Sequence, residues 1–303
     1  ILRRDRLMQV GVFMRTSEVD IAEQPIRFSD IRALAQAAEA AGLDSFWVPD
    51  HLTFETPEGE LFGVWEAYSI LSGLAAATSR IRLGPFVTAS IFRNPALLAK
   101  IAATVDDISD GRFILGLGAG NWEAEHTAFG FPFDHRASRL SEALQIIRPL
   151  FRDGSVNFEG KYYSANTPHR PTGPSAGGPP LWVAAKGPHL TRIAVQHADA
   201  LISIWPTTLE QVVAERDRIH AACAEVGRDA STISQVIGTH MYLPAGTPSE
   251  IGDNAISGSA DDIVGKLQSF ADAGVAHVVV DLRPDISVAA IEELGKIVDR
   301  LRG

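Results

Sequence analysis

The stretch "DSFWVPDHLTF", residues 44–54, contains the pattern that decides the fold of this chain. An apolar run of aromatic and β-branched residues stops at Pro49 and is followed at once by an acid and an imidazole, Asp50 and His51. Such a run, ended by a proline, predicts a short buried strand. The most reactive side chains of the stretch therefore follow the carboxyl end of a strand. The number of times this strand-then-loop pattern recurs indicates the fold, and the fold determines where Asp50 and His51 lie.

Apolar runs of this kind occur eight times, at residues 8–14, 45–48, 81–87, 113–119, 181–185, 200–204, 234–243 and 277–282. They are continuous rather than alternating, as expected of parallel strands covered on both faces. Amphipathic segments separate them, and two begin with a capping-box pattern, Thr207 with Glu210 and Ser259 with Asp262. Eight strands alternating with eight helices predict an α/β fold, a (β/α)8 TIM barrel. A doubly wound open sheet remains the alternative, because a sequence pattern does not reveal closure.

We expect a single barrel domain over residues 1–303, with insertions near 52–63, 153–180 and 244–258. The first and third insertions follow predicted strands, whereas the second follows a helix and opens with a hairpin-like run. Active sites of TIM barrels lie at the carboxyl ends of the strands. Asp50 and His51 are therefore expected to point into the barrel mouth. The alternative is a loop-capping acid beside a surface imidazole.

Composition narrows the class of partner. Lys and Arg number 27 against 37 Asp and Glu, a net charge of −10, which argues against a nucleic-acid or anionic-membrane partner and favours a small-molecule substrate. The single cysteine, Cys223, excludes a disulfide framework, and the scattered histidines predict no metal site. No apolar run reaches the roughly 18 residues of a membrane helix. No signal-type segment follows the basic first residues, so we expect a cytoplasmic protein, with Met8 a candidate natural start.

Two glycine-containing turns follow predicted strands. "GLGAGN" (116–121) lacks the dinucleotide-binding spacing, but its glycines allow close backbone approach to a flat ligand; a simple tight turn is the alternative. In "AAKGP" (184–188), Gly187 and Pro188 open a helix whose free amides can bind phosphate, with Lys186 adding charge. A Schiff-base role for Lys186, as in barrel aldolases, is the competing interpretation.

Taken together, the chain resembles the bacterial luciferase-like family of flavin- and deazaflavin-dependent barrel enzymes in residues 37–51, 80–131, 140–151, 156–163 and 179–203. The resemblance implies a cofactor ring in the barrel mouth, backed by a non-prolyl cis peptide that corresponds to Phe86–Val87. It also implies that glycine-rich turns hold the cofactor phosphate. The matching positions here are Gly118, Ala119, Gly120 and Asn121, followed by Ala185, Lys186 and Gly187. A homodimer is a further implication.

The "PDH" sequence at 49–51 is similar to the branch of this family that uses coenzyme F420. In that branch the aspartate contacts the deazaflavin and the histidine takes part in catalysis, which implies these roles for Asp50 and His51. F420 enzymes are mainly dehydrogenases and reductases, whereas the FMN branch is mainly monooxygenases. We therefore expect F420 as the cofactor, with FMN as the alternative.

The sequence also departs from the F420-dependent sugar-phosphate dehydrogenases. They carry a glutamate where Asn121 stands and a tryptophan where Glu55 stands, and an amide cannot act as a general acid or base. The predicted function is therefore hydride transfer between F420 and an unidentified small organic substrate. His51 would donate or accept the substrate proton, and Asp50 would orient it or the ring. The alternatives are an FMN-dependent monooxygenase, a lyase using Lys186 and a flavin-binding relative without turnover.

Overall fold

The computed structural model describes residues 7–16, 26–55, 59, 61–167, 173–206, 208–246, 255–284 and 286–303. The strands are β1 (Gln9–Phe13), β2 (Ser45–Val48), β3 (Thr53–Glu55), β4 (Leu61–Gly63), β5 (Arg82–Pro85), β6 (Thr88–Ala89), β7 (Leu115–Gly118), β8 (Val156–Glu159), β9 (Ser164–Thr167), β10 (Leu181–Ala184), β11 (Ala200–Ile204), β12 (Ser234–Tyr242) and β13 (Val275–Arg283). The α-helices are α1 (Phe28–Ala40), α2 (Ala67–Ala77), α3 (Pro95–Ile108), α4 (Glu123–Ala128), α5 (Arg136–Asp153), α6 (Pro188–Ala194), α7 (Leu209–Val226), α8 (Ala260–Asp272) and α9 (Val288–Arg302).

The large sheet is parallel, with the order β5-β2-β1-β13-β12-β11-β10-β7-β6. β5 and β6 are the two halves of the predicted third strand, separated by the cis peptide between Phe86 and Val87. β6 pairs with β7, and Leu83 of β5 forms a parallel bridge with Phe113, just before β7. Both halves therefore meet the same neighbour, and the ring closes. The predicted (β/α)8 barrel is confirmed, and the open-sheet alternative is wrong.

The capping signals have mixed outcomes. The box that begins with Ser259 is confirmed, because its hydroxyl accepts the Asp262 amide while the Asp262 carboxylate accepts the Ser259 amide. Thr207 lies outside the described residues. α7 instead begins after Thr208, which forms a capping box with Gln211. The sequence pattern therefore placed this helix start one residue too early.

Two insertions fold as antiparallel hairpins in the parts that are described. Residues 53–63 form β3 and β4, although 56–58 and 60 lie outside the described residues. The predicted hairpin after α5 is present as β8 and β9, and the carboxylate of Glu142 on α5 accepts backbone amides from its turn. Of the third insertion, 247–254 lies outside the described residues, as does 168–172 of the second.

One element differs from the strict alternation expected. Two helices rather than one follow β7, because the six-residue α4 precedes α5. A helix of fewer than two turns is too short to show the periodicity that reveals longer helices. The extra helix changes only the site, where α4 brings Glu125 to the barrel mouth. No helix in the described part of the chain is long and apolar enough to cross a bilayer.

The barrel interior is filled by large aromatic side chains. Trp47 is fully buried, and its ring centroid lies 5.1 Å from that of Trp182. Its indole N–H donates to the hydroxyl of Ser45, which shares a 2.7 Å hydrogen bond with Nε2 of His277. Burial, followed by the charge of Arg82, lowers the pKa of His277 to about 3, so the imidazole is neutral in the folded protein at pH 7.

Candidate active site

A cavity of about 1080 Å³ lies at the carboxyl ends of the strands, a volume sufficient for a large planar cofactor. Its walls include the predicted site residues Asp50, His51, Phe86, Val87, Gly118, Ala119, Gly120, Asn121, Ala185 and Lys186. Gly187 does not line the cavity; it caps α6, and its carbonyl accepts a hydrogen bond from Arg218. The structure therefore brings all the other predicted positions together around one space.

Asp50 lies directly beyond β2 and is only 3 % exposed. Its two carboxylate oxygens accept hydrogen bonds from the guanidinium of Arg93 at 2.7 and 2.9 Å, and one oxygen also accepts the Ala89 amide at 3.2 Å. Burial raises the pKa of Asp50 to about 6 against the opposing charge of Arg93, so the pair is ionised at pH 7. Asp50 therefore ties the end of β2 to β6.

Arg93 was not named by the sequence analysis, although it follows the third strand. Its guanidinium also contacts Glu66 at 2.6 Å and lies 4.6 Å from the centre of the Tyr68 ring. The hydroxyl of Tyr68 in turn hydrogen-bonds Thr88, another residue of the cavity wall, at 2.7 Å. A buried aspartate needs a cationic partner, so the burial of Asp50 implies a cationic side chain nearby.

His51 is held by a second buried acid, Glu125 of α4. Nδ1 of the imidazole lies 3.1 Å from one carboxylate oxygen of Glu125, and the other oxygen accepts the backbone amides of Leu52 and Thr53. Burial raises the pKa of Glu125, but the hydrogen bonds from His51 and from the amides outweigh it and leave that pKa below its usual value. Glu125 is therefore a carboxylate at neutral pH.

Aromatic side chains pack around the His51 ring. The ring centroid lies 4.6 Å from that of Phe54 on β3 and 6.5 Å from that of Trp122, and the planes of these two neighbours differ by only 21°. Phe62 of β4 extends the cluster at 5.8 Å from Phe54. The His51 side chain remains 29 % exposed at the cavity wall. The imidazole is thus fixed in orientation while one part of it stays accessible.

Phe86 and Val87 form an apolar floor in the same cavity. The ring of Phe86 packs against Phe13, Trp47 and Trp205, with centroid distances of 5.7–6.4 Å. Gly118 leaves room for the neighbouring Val87 side chain, because a Cβ at position 118 would lie 2.8 Å from a Val87 methyl group. Val87, which follows the predicted cis peptide, and Gly118, the last residue of β7, therefore form one packed surface.

Cationic side chains border the two glycine-containing turns. Arg136, in the first turn of α5, donates to the carbonyl of Gly120 at 2.7 Å. Arg218 of α7 donates to the carbonyl of Ala185 at 3.1 Å, and Lys186 is exposed beside it. Sequence analysis named only the lysine, because the two arginines come from distant helices without a recognisable motif. Arg136 and Lys186 give the cavity wall positive charge suited to a phosphate, whereas Arg218 is paired with Glu215, which also lines the cavity.

Comparison with known proteins gives a consistent result. The luciferase-like monooxygenase family model matches residues 8–255. The chain is 31 % identical over 254 residues to the phthiodiolone/phenolphthiodiolone dimycocerosates ketoreductase of Mycobacterium sp. (strain JLS), covering 78 % of this chain and 66 % of that protein. It is 37 % identical over 180 residues to the F420-dependent glucose-6-phosphate dehydrogenase of Amycolatopsis mediterranei (strain U-32), covering 57 % of this chain and 52 % of that protein.

Among solved structures, an F420-dependent secondary alcohol dehydrogenase in complex with an F420-acetone adduct superimposes with a TM-score of 0.81. The two chains are 21 % identical, and the superposition covers 98 % of this chain and 100 % of that one, so this likeness supports the fold alone. The matched part of the chain spans about half to two thirds of the length of the two curated relatives. With the family model matching most of its length, the chain belongs to the luciferase-like monooxygenase family.

Proposed function

We propose that the chain is an F420-dependent oxidoreductase that transfers a hydride between the deazaflavin and a small organic substrate. The observation that carries this proposal is the His51 imidazole, held by a buried carboxylate at the wall of the large cavity that contains the Phe86–Val87 floor. The similarity to a curated F420-dependent enzyme, a glucose-6-phosphate dehydrogenase, supports this choice of cofactor.

The residues present fit such a cofactor. Phe86 and Val87 offer an apolar surface for a flat ring, and the small residues from Gly118 to Asn121 let a ligand approach the backbone. Lys186 at the turn after β10 and Arg136 beside Gly120 offer positive charge for a phosphate. Bound there, F420 would supply the hydride-carrying carbon of the reaction. The protein would supply binding, orientation and proton transfer.

His51 is proposed to be the general acid or base. Hydride transfer to a carbonyl carbon leaves charge on the oxygen, and an imidazole can deliver a proton near neutral pH. Asp50 is proposed to contact the ring from the cavity wall. Because Arg93 holds both of its oxygens, Asp50 would act as a fixed carboxylate rather than as a proton carrier.

Two alternatives differ in how well the residues support them. An FMN-dependent monooxygenase is favoured by the description of the family that the chain belongs to. A Schiff-base lyase is disfavoured, because Lys186 is exposed and lacks the apolar surroundings that make a lysine nucleophilic. A binding protein without turnover would need no oriented imidazole, so the His51–Glu125 contact argues against it.

Kinetics of a His51→Ala variant test the proposal. Reduced F420 is mixed with a panel of ketones, and oxidised F420 with secondary alcohols, while the cofactor absorbance is followed. We expect turnover to fall by about 10²–10⁴-fold in the variant, the usual contribution of a general acid or base. His220→Ala, which removes an exposed histidine on α7 that does not line the cavity, is the matched control and should retain wild-type rates. Equal rates for wild type and His51→Ala would exclude this role.

We also propose that the chain forms a single domain and that the protein is a homodimer in the cytoplasm. Leu97 and Ile108 of α3 support the dimer, because they are 53 % and 43 % exposed and apolar. They lie eleven positions apart, about three helical turns, and so share one face of the helix. Exposed apolar residues on one face are typical of a protein interface.

A further inference from the structure

Glu125 occupies an unusual position for a charged residue. It is 2 % exposed, and it faces the one imidazole that the proposed function requires. We propose that Glu125 is a positioning residue that acts through His51, selecting the neutral imidazole form that is protonated at Nδ1. Nε2 is then the atom that exchanges a proton with the substrate. This inference rests on the proposed function for its catalytic meaning, but the His51 form itself is measurable without cofactor.

The hydrogen bonds around Glu125 determine the tautomer. An ionised carboxylate only accepts hydrogen bonds, so the contact at 3.1 Å requires a proton on Nδ1 of His51. The other oxygen of Glu125 is already occupied by the amides of Leu52 and Thr53. In the described part of the chain, Nε2 of His51 has no hydrogen-bond partner, and the residue lines the cavity. The neutral imidazole therefore presents a lone pair at Nε2.

The contacts of the neighbouring acids leave Glu125 as the partner of His51. Asp50, the adjacent residue, is held by Arg93, which also pairs with Glu66. Within the described residues, the ion pair of Glu125 is with His51. The contact with Glu125 therefore sets the orientation of the imidazole, while Asp50 keeps its own partner.

The carboxylate that contacts His51 comes from α4 and not from the glycine turn. Asn121, directly after the glycine turn, cannot exchange a proton, and the acid instead comes from α4, four residues later. The Glu125 carboxylate contacts Nδ1 of His51 and is not an isolated acid at the cavity wall. The competing explanation is that Glu125 only anchors the backbone of Leu52 and Thr53. That explanation predicts no effect on the protonation of His51.

Nitrogen NMR of histidine-labelled protein without cofactor separates these explanations. Comparison with His51→Ala assigns the His51 ring, and spectra at a pH where the imidazole is neutral give its tautomer. We expect the Nδ1-protonated tautomer in the wild type. In Glu125→Gln the single side-chain oxygen is retained by the Leu52 and Thr53 amides and the NH₂ group faces Nδ1, so the Nε2-protonated tautomer should appear. Glu123→Gln, at an exposed acid on the same helix, is the control and should leave the tautomer unchanged.

A neutral His51 protonated at Nε2 in the wild-type protein would overturn the proposal, even if Glu125→Gln did not fold. An unchanged Nδ1-protonated tautomer in a folded Glu125→Gln variant would overturn it as well. Neither outcome depends on the identity of the cofactor. Failure of the proposed function would appear separately, as absent F420 binding or as full turnover in His51→Ala.

Kinetics provide the second readout. Glu125→Gln should lower kcat by about 10–100-fold with KM and F420 affinity little changed, as is typical when the partner of a functional imidazole is removed. Since Glu125 acts through His51, the double variant His51→Ala/Glu125→Gln should be no slower than His51→Ala alone. A further loss in the double variant would assign Glu125 a role independent of the imidazole.

Discussion

At the residue scale, the candidate site consists of two buried acids, each paired with a positively charged or protonatable partner. The position of Asp50 and His51 at a strand end could be predicted, because a strand boundary is visible in local sequence. Their partners could not, since Arg93 and Glu125 lie 43 and 74 positions away in the chain, with no spacing rule to connect them. What could be inferred in advance was only that a buried acid needs a partner.

Removal of Arg93 should destabilise the fold strongly. In Arg93→Gln the carboxylate of Asp50 stays buried without a countercharge, and breaking such a pair costs about 3–5 kcal/mol. Urea unfolding at pH 7 measures the change. The control is Arg152→Gln, which removes an exposed arginine paired with Asp153 and should change stability by less than about 0.5 kcal/mol. Similar losses in both variants would contradict the importance assigned to the buried pair.

Acid should weaken the fold through His277. The folded-state pKa is about 3, well below the ordinary 6.5, so the unfolded chain binds a proton between these values while the folded protein does not. His277 therefore lowers the free energy of unfolding by up to about 1.4 kcal/mol per pH unit as the pH falls below 6.5. Asp50 acts in the opposite direction between pH 6 and 3.8, because its folded-state pKa is raised.

The effect of His277 is isolated by comparing wild type with His277→Gln, since Asp50 contributes equally to both. The stability of wild type relative to this variant should decrease steadily from pH 6.5 to pH 4. A difference that stays constant with pH would show that His277 is not buried in its neutral form.

At the element scale, the barrel strands and the hairpin after α5 were predictable, because their apolar runs and turn signals are local. The short helix α4 was not, and neither was the closeness of β3 to α4 that encloses His51 in aromatic side chains. These contacts arise only when the ring of strands closes and brings the loops after β2 and β7 together. The general location of the site therefore followed from the sequence, but the surroundings of its imidazole did not.

Gly118, the last residue of β7, provides a test at this scale. In Gly118→Ala the new methyl group would meet a Val87 methyl at 2.8 Å, so the cavity floor must move. We expect a loss of stability of about 1–3 kcal/mol and weaker F420 binding, measured by urea unfolding and by fluorescence titration. Gly265→Ala on α8 is the control, because no atom lies within 4 Å of its added Cβ and alanine favours a helix. Wild-type F420 affinity in Gly118→Ala would show that the cofactor does not bind against this floor.

At the scale of the whole molecule, we expect a homodimer that uses one face of α3. Light scattering should give a mass about twice the 32.6 kDa of the chain. Leu97→Glu/Ile108→Glu should shift the protein toward the monomer, because it places charge on the proposed apolar interface. Val288→Glu, at an exposed apolar residue of α9, should leave the mass unchanged. A monomeric wild-type protein would contradict this prediction.

The central claim is that this closed barrel binds a deazaflavin in its mouth, and an equilibrium titration of the purified protein with F420 and with FMN tests it most directly. Fluorescence is recorded for both ligands under identical conditions. The account predicts saturable binding of F420, one molecule per chain, with FMN bound more weakly. Saturable binding of FMN without binding of F420 would contradict the account and assign the chain to flavin-dependent oxygen chemistry instead.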